Sequence, residues 1–431
     1  MRPAMLLGLL VVAAVVGLVV SFASWGLLEG IHQLQEGVFT DLPRELGYDN
    51  GAPAWWPLPV LAIAGLVTAL AIERLPGTGG HSPAGGLATS STQPIELPGV
   101  LLAAVATIAL GVVLGPEAPL IALGSGLGLL AVQLIKQDSP DQVRAVMAAA
   151  GSFAAVSFIF GSPLVGAVIL IEAAGLDRKR LMVIVPVGLL AAGIGSLVTI
   201  GVGSWTGLSS KDYALGVLTL PDFPRPGVGD FIWTVPLAVA VAAGCFVIFG
   251  GARALLPVLA QRRTILLPAA GIVIAGLAIA FEQLTDKGSE EVLFSGQDQL
   301  TGFVAGASTW SIGALILVIA FKGLAWSVSL AGFRGGPTFP GLFLGAAAGV
   351  LASHLPGLAL TPAVAVAMGA ALVAVLRLPL SSVLLAVALS GGAGKGVEPL
   401  VIVGVAVALI TTLALSRESS DAGDAEVTAQ A

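Results

Sequence analysis

The amino-acid sequence predicts an all-α, polytopic membrane protein, built as a bundle of tilted and broken helices. Of its 431 residues, 56% are hydrophobic and only 10% are charged, whereas a soluble domain usually has about 25% charged residues. Apolar stretches of about 20 residues, long enough to span a bilayer, recur from Met5 to Leu415. Most of the chain is therefore expected to lie in lipid.

Helices are predicted for the apolar segments between breaks rich in glycine, proline or charge. These segments are 4–27, 55–74, 97–113, 117–136, 141–160, 163–175, 181–203, 229–250, 264–283, 308–331, 338–354, 361–376, 379–391 and 397–415. Several are too short to cross about 30 Å of hydrocarbon at about 1.5 Å per residue. Their free ends must then be buried in protein or line a polar cavity.

An internal repeat relates two distant parts of the chain. Residues 115–130 (GPEAPLIALGSGLGLL) and 336–351 (GPTFPGLFLGAAAGVL) share seven identical positions. The identical pairs are Gly115/Gly336, Pro116/Pro337, Pro119/Pro340, Leu123/Leu344, Gly124/Gly345, Gly128/Gly349 and Leu130/Leu351. Two halves with corresponding glycine- and proline-broken helix starts are typical of inverted-topology repeats around a binding site.

A second match supports the division into halves, since Ser162-Pro163-Leu164 and Leu378-Pro379-Leu380 each open a short apolar helix. We therefore predict a first membrane repeat over 1–215, a second over 216–415, and a short polar cytoplasmic tail over 416–431. Acidic loops at 28–54 and 282–291 are expected outside, and the basic segments 178–180 and 253–263 inside. The expected location is the cell inner (plasma) membrane.

Composition also limits the partners. The net charge is −6 without a basic run, so no nucleic-acid partner is expected and the lipid bilayer is the predicted surroundings. The single cysteine, Cys245, excludes an intrachain disulfide and a cysteine metal cluster. We expect no metal site and no cofactor.

The repeated breaks predict an anion site. A helix N-terminus has unpaired N–H groups and about half a positive charge, so two such ends, near Glu117 and Thr338, could bind an anion through backbone amides. A third break, Gly77-Thr78-Gly79-Gly80, adds a hydroxyl donor. The predicted anion-binding residues are Thr78, Gly79, Ala118, Pro119, Thr338 and Phe339.

In the order and spacing of four segments, the chain resembles a divergent prokaryotic member of the CLC family of chloride channels and proton–chloride exchangers. These segments are Gly77–His81, Gly115–Pro119, Pro163–Gly166 and Gly336–Pro340. The resemblance implies a CLC-like fold, a homodimer with one pathway per subunit, and chloride as the transported ion. It implies that Glu117 is the gating glutamate and that Thr78 lies at the central anion site. The amides near Thr338 and Phe339 would then belong to the helix on the opposing side of that site.

The chain departs from the family pattern at several positions. The internal proton-relaying glutamate of the family's exchangers falls on Ala173, with Glu172 just before it as a possible proton relay. Family members also have a tyrosine late in the sequence whose hydroxyl lies at the central anion site. This chain has no candidate for it, because Tyr48 and Tyr213 both lie in predicted external loops. These departures favour passive or weakly proton-coupled anion movement; the alternative is a stoichiometric proton–chloride antiporter.

Structural roles are alternatives for each candidate. Glu117 could merely cap its helix, and Glu172 could form an ion pair with Arg178 or Arg180. Lys322 could extend to the membrane surface or pair. The G-x-x-x-G spacing of the repeat also serves close helix packing. An integral-membrane enzyme is the alternative from another class, although no enzyme motif was found; the protein is not expected to be an enzyme.

Overall fold

The computed structural model describes residues 3–87, 90–175, 178–206 and 215–429, with the side chains of 7–87, 90–175, 180–201 and 215–417. The described residues form sixteen α-helices. They are α1 Pro3–Glu36, α2 Leu42–Glu45, α3 Pro57–Arg74, α4 Leu97–Ile108, α5 Glu117–Ile135, α6 Asp141–Ile159, α7 Pro163–Ala174, α8 Arg178–Thr206, α9 Val228–Gln261, α10 Arg263–Leu284, α11 Gln297–Ala305, α12 Ile312–Gly332, α13 Thr338–Ala352, α14 Leu360–Leu376, α15 Pro379–Leu389 and α16 Val397–Ala429. The all-α prediction is confirmed.

Nine of the described helices are long and apolar enough to cross a membrane. They are α1, α3, α5, α6, α8, α9, α10, α12 and α16, with α2 counted in the first span. Between them lie five shorter apolar helices, α4, α7, α13, α14 and α15. With 15 residues, α13 is about 22 Å long, which is shorter than the hydrocarbon layer of about 30 Å. The expected mixture of spanning and broken helices is confirmed.

Corresponding helices of the two repeated segments pack in the same way, α5 on α6 and α13 on α14. Small residues permit this close approach. A side chain on Gly124 would overlap the backbone of Gly151 in α6, and one on Gly345 would meet the Ala367 carbonyl in α14. The G-x-x-x-G spacing therefore has the packing role considered above.

Two differences from the predicted helices have physical reasons. The sequence predicts an end at Gly250, but α9 continues to Gln261. Gly251 instead allows α12 to approach α9, where the Ser327 hydroxyl donates to the Ile248 carbonyl at 2.9 Å. The sequence also predicts no helix at Gln297–Ala305, because α11 is short and mostly polar at its start.

Candidate functional site

The two repeated helix starts meet through their backbones. The Gly115 N–H donates to the Gly336 carbonyl at 2.8 Å, and the Gly336 N–H donates back to the Gly115 carbonyl at 2.6 Å. This isolated antiparallel bridge places the N-termini of α5 and α13 side by side. The positively polarised ends of two helices therefore share one buried location.

Glu117 lies at this meeting point. It is the first residue of α5 and is 1% exposed. Its Oε1 accepts a hydrogen bond from the Thr338 N–H at 2.5 Å, so the acid of one repeat occupies the helix N-terminus of the other. Its buried Oε2 has no hydrogen-bond partner among the described residues.

Small and flat groups surround the carboxylate. A methyl group added to Gly115 or Gly336 would overlap the Glu117 carboxyl group, so both positions have room only for glycine. Phe339 is 1% exposed and stacks on Phe160 with ring centroids 5.8 Å apart. The Glu117 carboxylate accepts from an N–H group at the start of α13, and a small anion in its place could accept from the same group.

Cavities adjoin the carboxylate's helix on both sides of its first turn. One cavity of about 250 Å³ is lined by Ala118 and Pro119 of α5 together with the glycines at 77, 79 and 80. A smaller cavity of about 50 Å³ is lined by Pro116 and Phe294, together with residues near the end of α1. Because α1 and α3 are successive spans, the end of α1 and the loop after α3 lie towards opposite faces of the bundle. Glu117 thus lies in the chain between Pro116, which lines one cavity, and Ala118, which lines the other.

Thr78 lies between two glycines, at 77 and 79, that line the larger cavity. Its side chain is exposed and does not line the larger cavity, whereas Gly79 does. Residues 77–80 all have positive φ, including Thr78 at 49°, a conformation rare for a β-branched residue. The Thr78 carbonyl accepts from Nε of Arg334 at 3.3 Å. The anion contact predicted for its hydroxyl stays a prediction that this geometry does not support.

Two cavity residues were missed in the sequence, Arg334 and His81. Burial lowers the pKa of Arg334 to about 10, with a contribution from Arg263. Burial also lowers the pKa of His81, and the charge of Arg334 lowers it further. A lone arginine next to the repeated glycine start was the available signal, because charges in apolar sequence tend to be functional.

Glu172 is bound to the N-terminus of α15. Its Oε1 accepts from the Leu380 N–H at 2.9 Å, and its Oε2 accepts from the N–H and hydroxyl of Ser381 at 2.8 and 2.7 Å. Both carboxylates singled out in the first half therefore cap helices of the second half. A capping role accounts for Glu172 without an arginine partner, and its proton-relay role stays a prediction.

Ala173 and the two tyrosines are the other positions at which the chain differs from the family pattern. Ala173 lines a cavity of about 210 Å³ between α6, α7 and α8, which adjoins the larger cavity through the shared lining residues Ser90, Ser91 and Ile121. Tyr48 is exposed beyond α2, 6.4 Å from the Trp55 ring, and Tyr213 lies outside the described residues.

The fold and the paired helix starts define a multi-pass membrane protein of the anion-transport class. The family model described as "Voltage gated chloride channel" matches residues 64–412. That match covers most of the chain, which therefore belongs to the CLC family of voltage-gated chloride channels. The family expected from the four segments is confirmed.

Sequence relatives agree with this assignment. "Putative ion-transport protein YfeO" of Salmonella schwarzengrund (strain CVM19633) is 27% identical over 354 residues, which cover 79% of each chain. The protein of the same description in Salmonella newport (strain SL254) is 26% identical over the same length. These relatives support membrane ion transport in general.

Solved structures share the fold. A slow cyanobacterial Cl⁻/H⁺ antiporter superposes with a TM-score of 0.77 at 19% identity, covering 96% of this chain and 95% of the other. A CLC-type fluoride/proton antiporter gives a TM-score of 0.70 at 16% identity, with 95% and 96% covered. The CLC-like architecture predicted from the sequence is confirmed.

Proposed function

We propose that the protein moves small inorganic anions, with chloride as the main substrate, along a path that the Glu117 carboxylate closes and opens. The observation that carries the proposal is the bond from the Thr338 N–H to Glu117 Oε1, formed where two helix starts meet. An ionised carboxylate competes with an anion for these amides. Protonation removes that charge and lets the side chain leave.

The amides favour transport over tight binding. Backbone dipoles carry partial charges, so an anion gains enough to enter without the full attraction of a lysine or arginine. Arg334 adds a positive charge at the larger cavity, beside Gly335 and ahead of the second helix start. That placement concentrates anions at one mouth of the path.

Movement is passive or weakly coupled to protons in this proposal. Ala173 cannot carry a proton, and Glu172 has both oxygens bound to α15. Stoichiometric exchange is the second candidate, because the two solved structures named above are antiporters. The homodimer and the plasma-membrane location implied by the family are parts of the same proposal.

Paired chloride and proton fluxes from purified protein in liposomes test the proposal. We expect chloride efflux with little linked proton uptake, and a smaller flux of fluoride. A fixed proton-to-chloride ratio driven by a chloride gradient would establish the antiporter instead. No anion flux, together with turnover of lipid, would support the enzyme alternative.

A further inference from the structure

A fully buried lysine is held by four successive backbone carbonyls. Lys322 of α12 is 0% exposed. Its Nζ lies within hydrogen-bond distance of the carbonyl oxygens of Glu291, Val292, Leu293 and Phe294, at 3.0, 3.3, 2.9 and 3.3 Å, so its three N–H groups are shared among four acceptors. The lysine thus does not extend to the membrane surface, which was one expectation from the sequence.

The four carbonyl oxygens of residues 291–294 point to one centre and form a cation-binding site, here called the cage. Four oxygens that point at one centre would be costly to bury without a partner, and rings of carbonyls are how proteins replace the water of a monovalent cation. Here the ammonium group of Lys322 is that cation. The Phe343 ring, 4.5 Å from Nζ, adds a cation–π contact from α13.

Other charged groups do not replace the cage. Glu291 is the nearest acid, and burial raises its pKa more than the charge of Lys322 lowers it. Glu290 and Lys287 act on Glu291 in opposite directions. Among the described residues, no carboxylate lies within salt-bridge distance of Lys322. Carbonyl dipoles therefore provide most of the compensation for the ammonium charge.

The caged segment, residues 291–294, adjoins the Glu117 site. The Phe294 N–H donates to the Gly111 carbonyl at 3.0 Å, and Phe294 lines the smaller cavity together with Pro116, the residue before Glu117. Phe294 has a φ of 58°, so its position depends on contacts rather than on backbone preference. Its ring meets Phe39 edge-on at 5.1 Å.

The geometry points to Lys322 as a positioning residue for transport: its ammonium fixes residues 291–294, and thereby holds Phe294 in the wall of the cavity beside Pro116, which sets anion access to Glu117 from that side. This inference rests on the proposed function. It adds that the cage, once emptied, is a site for a monovalent cation of ammonium or potassium size.

Substitution of Lys322 separates positioning from simple stabilisation of the fold. In Lys322→Ala, we expect the chloride concentration for half-maximal flux to rise on the order of tenfold, the effect of about one charged hydrogen bond on an equilibrium constant. The pH response assigned to Glu117 should remain. Lys322→Arg should retain part of the wild-type affinity, because its guanidinium also donates to carbonyls.

The emptied cage offers a direct binding test. Ammonium or potassium chloride should raise the thermal unfolding temperature of Lys322→Ala in detergent, relative to equal N-methylglucamine chloride, and should leave the wild type unchanged. Potassium inside and outside the liposomes should also restore part of its chloride affinity. Unchanged chloride affinity without any cation effect would overturn the inference.

A second variant keeps the test valid if Lys322→Ala fails to fold. Phe294→Gly removes the cavity wall, leaves the cage carbonyls in place, and suits the positive φ. We expect the same rise in the half-maximal chloride concentration. Unchanged affinity in this variant would refute the positioning role. Failure of the proposed function would look different, because the wild-type protein itself would then show no anion flux.

Discussion

Gly115 and Gly336, the first residues of the two repeated segments, are hydrogen-bonded to each other in both directions, at 2.8 and 2.6 Å. Glycine is needed at both positions, since a side chain on either would overlap Glu117. The two helix starts can approach this closely only because no side chain lies between them. The pair therefore brings Glu117 within reach of the Thr338 amide.

Neutralising Glu117 should remove the pH response of anion flux. Glutamine does not titrate, so in Glu117→Gln the occupancy of the helix N-terminus by this side chain no longer depends on pH. Anion flux should therefore be similar at pH 4.5 and pH 7.5. Chloride efflux from liposomes measures this. Glu73→Gln, the same change at an exposed site, is the control and should behave like the wild type. A pH response that survives in Glu117→Gln would exclude this residue as the gate.

Removing the Thr338 hydroxyl should change the choice among anions. Thr338 is 1% exposed beside the Glu117 carboxylate. Thr338→Val keeps the shape and the amide but loses a donor, so strongly hydrated anions should lose more flux than bromide or nitrate, by about two- to tenfold. Thr234→Val is the control: it removes a buried hydroxyl in α9 that donates to the Asp230 backbone carbonyl, and it should leave the order of anion preference unchanged. If the two variants rank the anions alike, Thr338 does not contact them.

A methyl group on Gly336 should expel the Glu117 side chain. Gly336→Ala places a carbon where the carboxyl group lies, so the variant should be less thermostable, by about 1–3 kcal/mol. Adding Glu117→Ala should restore much of that loss by removing the overlapping group. Gly244→Ala, where a methyl group meets nothing within 4 Å, is the control. Additive losses in the double variant would show that the two residues do not meet.

Glu172 should matter for stability more than for proton movement. Its oxygens satisfy two N–H groups and one hydroxyl at the start of α15, so Glu172→Gln should lower stability by about 1 kcal/mol. The proton-to-chloride flux ratio should not change. Glu398→Gln at an exposed position provides the matched control. A selective loss of proton flux in Glu172→Gln would establish a relay instead.

Arg334 should control the titration of His81. The pKa of His81 is lowered first by burial and then by the Arg334 charge, so Arg334→Gln should move it upward towards about 6.5. Below its pKa the ring is cationic, and the variant should therefore become protonated at a higher pH than the wild type. NMR of ¹⁵N-histidine is practical, since the chain has three histidines. An unchanged or lower pKa would contradict the contact.

The sequence predicted most of the helices and the Glu117–Thr338 meeting, because glycine and proline patterns and an internal repeat indicate them. Proline and glycine mark helix starts, and the repeat indicates which starts correspond. The partners of Glu172 and Lys322 could not be predicted, since most of these contacts come from backbone groups of Leu380, Ser381 and residues 291–294, which leave no side-chain pattern. The exposed side chain of Thr78 was not foreseen, because its direction depends on a positive φ that the sequence suggests only weakly; its anion contact stays a prediction.

Corresponding residues of the two segments face each other, with Glu117 opposite Thr338. If both positions held an acid, the two carboxyl groups would lie a few ångströms apart in a buried site. One of them would have to stay protonated, because two like charges are unfavourable there. An artificial chain made by joining two copies of the first half would meet that conflict at once. Dissimilar residues at this point are therefore a condition for a duplicated architecture to hold a single mobile charge.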